Sequence, residues 1–256
     1  MMSANLIAKP IRGLGGFFGM SLDTFVAIFT PPFAWAEFVK QVWFVARVSM
    51  VPALLLALPY AVISGFLFNI LLGQFGAADF SGTGSAFFAV SQIAPLATVI
   101  VVSGAGATAM CADLGARTIR EEIDAQRVMG VDPIRALVVP RVLAATLVSL
   151  LIVSQVVIVG LVGAYFLSVY YLHVSAGAFV EGMTLLTGLD DVIVTLIKAT
   201  LFGVCSGLIA CYKGISVRGG PANVGIAVNE TVVFCFLVLF MINILVTAVG
   251  VQFTIS

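Results

Sequence analysis

The sequence predicts an all-α integral membrane protein: an N-terminal interfacial helix or helices, then five transmembrane helices, with a charged cytosolic helix between the second and third spans. Composition is the first reason. Hydrophobic residues make up 61% of the 256 positions and charged residues only 9%, against roughly 25% charge in a soluble domain, and mean hydropathy is +1.19. The second reason is how the few charges are sorted. Ten of the twenty-four acidic and basic side chains lie between Asp113 and Arg141, and most of the remainder of the chain is apolar.

A helix needs about 20 apolar residues to cross the hydrocarbon core, so uncharged intervals mark the spans. Arg47 to Asp79, Asp79 to Asp113, Arg141 to His173 and Glu230 to the end are all long enough, and Asp191 to Lys213 is broken only by Lys198. Five spans are expected near 50–73, 86–110, 142–170, 190–212 and 231–253. One domain over 1–256 follows, with 1–47 as a cytoplasmic or interfacial segment and 48–256 as the bundle.

Lysine and arginine accumulate on the cytoplasmic side of a membrane. With the N-terminus inside, eleven of the twelve basic residues fall on that side, Lys198 being the exception, and the outer connections hold Asp79, His173, Glu181, Asp190 and Asp191. The expected topology is N-terminus cytoplasmic and C-terminus outside. No cleavable leader pattern is evident.

Before the first span, charges and prolines at Lys9, Arg12, Asp23, Pro31, Pro32, Glu37 and Lys40 interrupt the apolar runs. Over residues 33–47, Glu37, Lys40, Gln41 and Arg47 share one helical stripe. That pattern suits a helix lying in the interface with its polar edge toward water, or one packed against protein. On the outer side, 74–84 reads as a short turn. Residues 172–190 read as a connector with a helix capped by Ser175 and ending before Gly188.

The charged segment has an inferable shape. Ala112, Ala116, Ile119 and Ile123 recur at helical spacing as an apolar face, and Arg117, Arg120, Glu121, Glu122, Asp124 and Arg127 fill the rest. Gly130 suits a helix C′ position, Asp132 can cap a following helix, and Pro133 fits its first turn. A helix, a bend at Gly130-Val131-Asp132-Pro133 and a second helix leading to Pro140 result. The bend projects as a knob. A solvated loop is one reading of it. The retained apolar stripe favours the other, a helix docking into a groove on another protein.

Several functions are excluded or weakened. The charges form no basic patch for nucleic acid. There is no phosphate-binding loop with its lysine, and KGISVRGGPANVG at 213–225 lacks that lysine context. A single histidine, His173, leaves no metal cluster, no catalytic motif is present, and Cys111, Cys205, Cys211 and Cys235 read as small core residues. No catalytic residue, metal site or cofactor of the chain's own is expected. Lys198 is the one ionisable group well inside a span, and it either reaches outward or lines a substrate cavity. Five spans do not divide into two repeats, so a symmetric pathway needs two such subunits. Gly203 and Gly207 form a small-residue motif that serves helix packing within one chain or between chains.

The stretch EEIDAQRVMGVDPIRALVVPRVLA at 121–144 resembles the MlaE/YrbE family of ABC-transporter permeases, whose pattern is met by Glu122, Ala125, Met129, Gly130, Pro133, Leu137, Pro140 and Arg141. GGPANVGIAVNETVV at 219–233 resembles the glycine-rich loop before that family's last helix. Within the family the chain looks more like the YrbE subunits of actinobacterial Mce lipid transporters than like proteobacterial MlaE.

The resemblance implies a cytosolic coupling helix in the charged segment. Ile119, Glu121, Glu122, Ile123, Arg127, Gly130, Asp132 and Pro133 would meet an ATPase, and Arg218, Gly219, Gly220 and Pro221 would form a second cytosolic loop. It implies a second YrbE-type permease subunit, the same chain or a different one, and an ABC ATPase dimer that binds the ATP and magnesium. It further implies MCE-domain proteins outside and a lipid cargo, fatty acid, mycolic acid, sterol or phospholipid, usually imported. A secondary transporter or membrane scaffold independent of ATP is the alternative.

Overall fold

The computed structural model describes residues 4–31, 33–76, 80–171 and 173–255. Among these, five helices are long and apolar enough to cross a bilayer: Trp35–Gln74, Gly82–Ile119, Ile134–Tyr171, Leu189–Ile215 and Pro221–Gly250. The chain is therefore a multi-pass, all-α membrane protein; four of the expected intervals fall within these helices, and the fifth, 231–253, begins inside Pro221–Gly250 and runs three residues past it. A shorter apolar helix, within α1 (Ala4–Ile28), precedes them. Asp79 and residue 172 lie outside the described residues.

The differences are at the helix ends. The first span, α2 (Trp35–Gln74), is one helix of 40 residues, about 60 Å long at 1.5 Å per residue and about twice the ~30 Å hydrocarbon thickness. Residues 33–47 are thus not a separate interfacial helix. Nothing between Trp35 and Met50 interrupts helical geometry, so the span continues past the membrane boundary. Their polar edge is split: Gln41 is buried and Glu37 half-buried, Lys40 and Arg47 are exposed, and Trp35, Val39 and Trp43 are exposed as well.

The separate amphipathic helix before the spans is instead α1. Leu14, Phe18, Leu22 and Val26 recur every fourth residue on its exposed face, and Phe17, Ser21 and Thr24 turn inward. Phe17 meets Tyr212 edge to face at 5.6 Å. The Tyr212 hydroxyl donates to the Gly13 carbonyl at 2.8 Å, so α1 is pinned beneath the bundle by a polar group with an aromatic body.

The second span is built from α3 (Ser81–Phe88), α4 (Ala94–Val101) and α5 (Ala107–Ile119), joined by π-helical turns at Ala89–Ile93 and Val102–Gly106. The third consists of α7 (Val139–Phe166) between π-helical turns at Ile134–Val138 and Leu167–Tyr171. Such turns are rare insertions that re-aim the side chains following them. Between these spans lies the short α6 (Glu122–Val128). At the opposite end of the bundle, α8 (Ala176–Leu186) packs on α3, where Gly82 lies against the Phe179 backbone and Phe179 is fully buried. Ser175 stands at the N-cap of α8, but its side chain makes no capping hydrogen bond.

The last two spans are α9 (Leu189–Ile215) and α10 (Pro221–Ile255). Lipid tails are as apolar as leucine, so helices in a membrane associate by close approach of small residues. Ala53, Ala57 and Ala61 give α2 such a face, and all three are buried. Gly203 approaches the Thr146 backbone of α7, and a Cβ added at Gly207 would lie 3.0 Å from Val142 Cα. The motif of Gly203 and Gly207 therefore joins α9 to α7 within one chain. α10 is the least covered span, with 17% of its most apolar window buried.

Candidate functional site

The charged residues converge at the end of the bundle where the second and third spans meet, and two left-handed residues set the backbone there. The first is Glu121, with φ 59°. It stands at the C′ position of α5, and its amide donates to the Thr118 carbonyl at 3.1 Å. Glycine is the usual residue at such a position because a Cβ costs about 1–2 kcal/mol in the left-handed region. The single amphipathic helix expected from Ala112 to the stop at Gly130 is consequently two, α5 and α6, meeting at Arg120-Glu121.

The second left-handed residue is Gly130, φ 79°. Its amide donates to the Arg127 carbonyl at 3.0 Å and the Val131 amide to the Gln126 carbonyl at 2.9 Å, the paired bonds of a Schellman end. Asp132 then accepts from the Ile134 amide at 3.0 Å, and Pro133 enters the next turn. The bend at Gly130–Pro133 forms as its residues dictate.

The apolar stripe does not point outward. Ile123 is buried in a cluster with Leu114, Leu137, Val138, Leu208 and Cys211, and Ile119 is half-buried. Ile123 thus holds α6 to the bundle and cannot be an outward apolar contact. That surface belongs to Val128, Met129 and Val131, which are exposed, Val128 at 89%. Around them the charges pair locally, Arg120 with Glu122 at 2.8 Å, Arg127 with Asp124 at 2.9 Å and Arg135 with Asp132 at 3.6 Å. Glu121 is exposed.

The second loop shares this end. A Cβ on Gly115 would meet Val224 at 3.2 Å and Val217 at 3.4 Å. Thr118 Oγ1 donates to the Gly214 carbonyl at 3.1 Å. Gly219 turns the chain at φ 96°, Asn223 Nδ2 donates to the Arg218 carbonyl at 2.7 Å, and Arg218, Gly219, Gly220 and Pro221 are exposed. The second loop is therefore packed against α5, the helix that leads into the knob.

Arg141 was legible only as a boundary charge and a motif residue, yet it is completely buried. Its Nη2 lies 2.6 Å from Asp113 Oδ2 and 3.6 Å from Glu37 Oε1, and its Nη1 donates to the Leu137 carbonyl at 3.0 Å. Gln41 Nε2 donates to Glu37 Oε1 at 2.8 Å, and Asp113 also pairs with Arg117 at 3.3 Å. The one sequence signal was the polar stripe of Glu37 and Gln41, which has Arg141 as its target.

Lys198 is 2% exposed, on the inward face of α9 with Thr195, Ala199 and Phe202. An apolar crevice of about 210 Å³ opens nearby between Val90, Val153, Val157 and Thr195. Its lining does not include Lys198. Among the described residues no group of three or more His, Cys, Asp or Glu side chains could hold a metal ion.

Residues 38–249 match the family described as Permease MlaE. A probable ABC transporter permease protein of Rickettsia typhi is 27% identical, covering 95% of this chain and 96% of its own length. A probable ABC transporter permease protein of Synechocystis is 30% identical over 73% of each chain, and the intermembrane phospholipid transport system permease protein MlaE of Haemophilus influenzae is 24% identical over 82% of this chain and 81% of its own. The fold and the matched span together define a membrane permease of the ABC-transporter class. The chain belongs to the MlaE permease family.

Proposed function

We propose that this chain is the non-catalytic permease subunit of an ATP-driven lipid transporter in the cytoplasmic (inner) membrane, with its N-terminus and charged end in the cytosol and its C-terminus outside. The carrying observation is the knob. A short helix set between two left-handed residues, Glu121 and Gly130, and the bend that follows it present Val128, Met129 and Val131 among Glu121, Glu122, Arg127, Asp132 and Pro133, which suits a protein groove better than water. The loop at Arg218–Pro221 adds to that surface.

The partner in that groove is a cytosolic ABC ATPase dimer, which binds the ATP and magnesium. Two permease subunits, this chain with a copy or with a second YrbE-type chain, enclose the lipid path, and α10 offers an uncovered apolar flank for such pairing. MCE-domain proteins receive or deliver the lipid outside. The name of the Haemophilus influenzae relative supports a phospholipid cargo. The narrower reading is a YrbE subunit importing fatty acid, mycolic acid or sterol. In either, Lys198 is the buried cation available to an acidic headgroup when the bundle opens.

Replacing Glu122 with Lys is expected to abolish lipid transport while membrane insertion stays intact. Normal transport together with normal ATPase copurification in that variant would sink the proposal.

A further inference from the structure

One buried charge at the cytosol-facing end takes no part in the docking surface. Arg141 joins three helices: its own α7, α5 through Asp113, and α2 through Glu37. Arginine is not deprotonated in a protein, so a fully buried guanidinium has to be held by carboxylates. The two holds differ. The Asp113 contact, at 2.6 Å, is a short charge-assisted hydrogen bond, and the Glu37 contact, at 3.6 Å, lies beyond hydrogen-bonding range.

The surroundings make the second hold easy to release. Glu37 is 23% exposed, sits in the first turn of α2 and keeps a hydrogen bond from Gln41. A carboxylate there is favoured by the helix dipole with or without Arg141. Arg141 Nε is buried without a hydrogen-bond partner, so the guanidinium keeps a donor for a second arrangement. On the other side, the bend at Gly130–Pro133 runs straight into the π-helical turn whose Leu137 carbonyl accepts from Arg141.

We infer that Arg141 is a positioning residue that delivers movement of the bend to α2: its bond to Asp113 makes α5, α6 and the start of α7 one rigid piece, and its contact with Glu37 is the joint that opens and closes as α2 changes angle. The inference rests on the proposed reading in which an ATPase presses on the bend. α2 projects beyond the bilayer on this side, so a small displacement at Glu37 tilts the whole first span.

The test uses the complete transporter in vesicles together with its ATPase. Glu37→Gln is expected to leave ATPase copurification intact and ATP hydrolysis within twofold, and to lower the lipid moved per ATP at least fivefold. An unchanged lipid-to-ATP ratio overturns the inference. A double-mutant cycle of Glu37→Gln and Arg141→Met, read by thermal melting in detergent, tests the contact without transport. Stability losses smaller together than summed support it, and additive losses overturn it. If Arg141→Met does not insert, Arg141→Lys replaces it, keeping a charge on Asp113 without the reach to Glu37. A wild-type chain that binds no ATPase removes the functional reading and the positioning role with it, and the cycle then reports the contact alone.

Discussion

Asp113 and Arg141 stand 28 positions apart in sequence and meet at 2.6 Å, with the arginine side chain wholly enclosed. This pair closes the base of the loop that carries the knob. Removing one partner of a buried ion pair costs about 3–5 kcal/mol, while replacing both with apolar groups of similar volume costs far less. Asp113→Ala is therefore expected to lower the melting temperature in detergent more than the double change Asp113→Leu with Arg141→Met. The reverse order would show that the pair does not hold this end together.

Glu121 adopts a left-handed conformation without being glycine. Glu121→Gly should raise stability by up to about 1 kcal/mol through relief of the Cβ strain, with the greater backbone freedom of glycine in the unfolded chain offsetting part of it. If its exposed carboxylate contacts an ATPase, the same change lowers transport. Opposite movement of melting temperature and transport in one variant is the expected signature, since a residue serving the fold alone would move both in the same direction.

Two glycines are predicted to respond with opposite signs. At Gly203 a Cβ would strike the Thr146 backbone, so Gly203→Val should separate α9 from α7 and cost about 1–3 kcal/mol or more by overpacking. At Gly225, inside α10, nothing lies within 4 Å, and Gly225→Ala should stabilise the helix by about 0.5–1 kcal/mol. Thermal unfolding of both variants in the same detergent checks the pair.

Met129 is 71% exposed at the tip of the knob. Met129→Asp should leave the melting temperature within about 1 °C, since it uncovers no core, and should reduce ATPase copurification at least tenfold. Full copurification would move the docking surface away from the tip.

Legibility followed the range of the forces involved. The bilayer imposes an apolar length on every span, so all five were readable from charge spacing. The turn at Gly130–Pro133 was readable because each residue there acts on its own backbone. The break at Arg120-Glu121 was hidden, as a left-handed glutamate carries no local signal. The outward direction expected for Ile123 was wrong for a related reason. Periodicity identifies an apolar face but not what covers it, and here Leu137 and Leu208 do. The role of Arg141 was out of reach because Glu37 and Asp113 belong to other helices. The separate interfacial helix over 33–47 failed because a helix does not stop where the membrane does.

The seven residues of α6 are bracketed by two left-handed positions, Glu121 and Gly130. An α-helix advances about 100° per residue, so one residue gained or lost between these brackets would swing Val128 and Met129 round to another side of the knob. Substitution within this stretch is tolerable to the degree that chemistry allows. Insertion and deletion are not, because the direction of the knob depends on a count of residues.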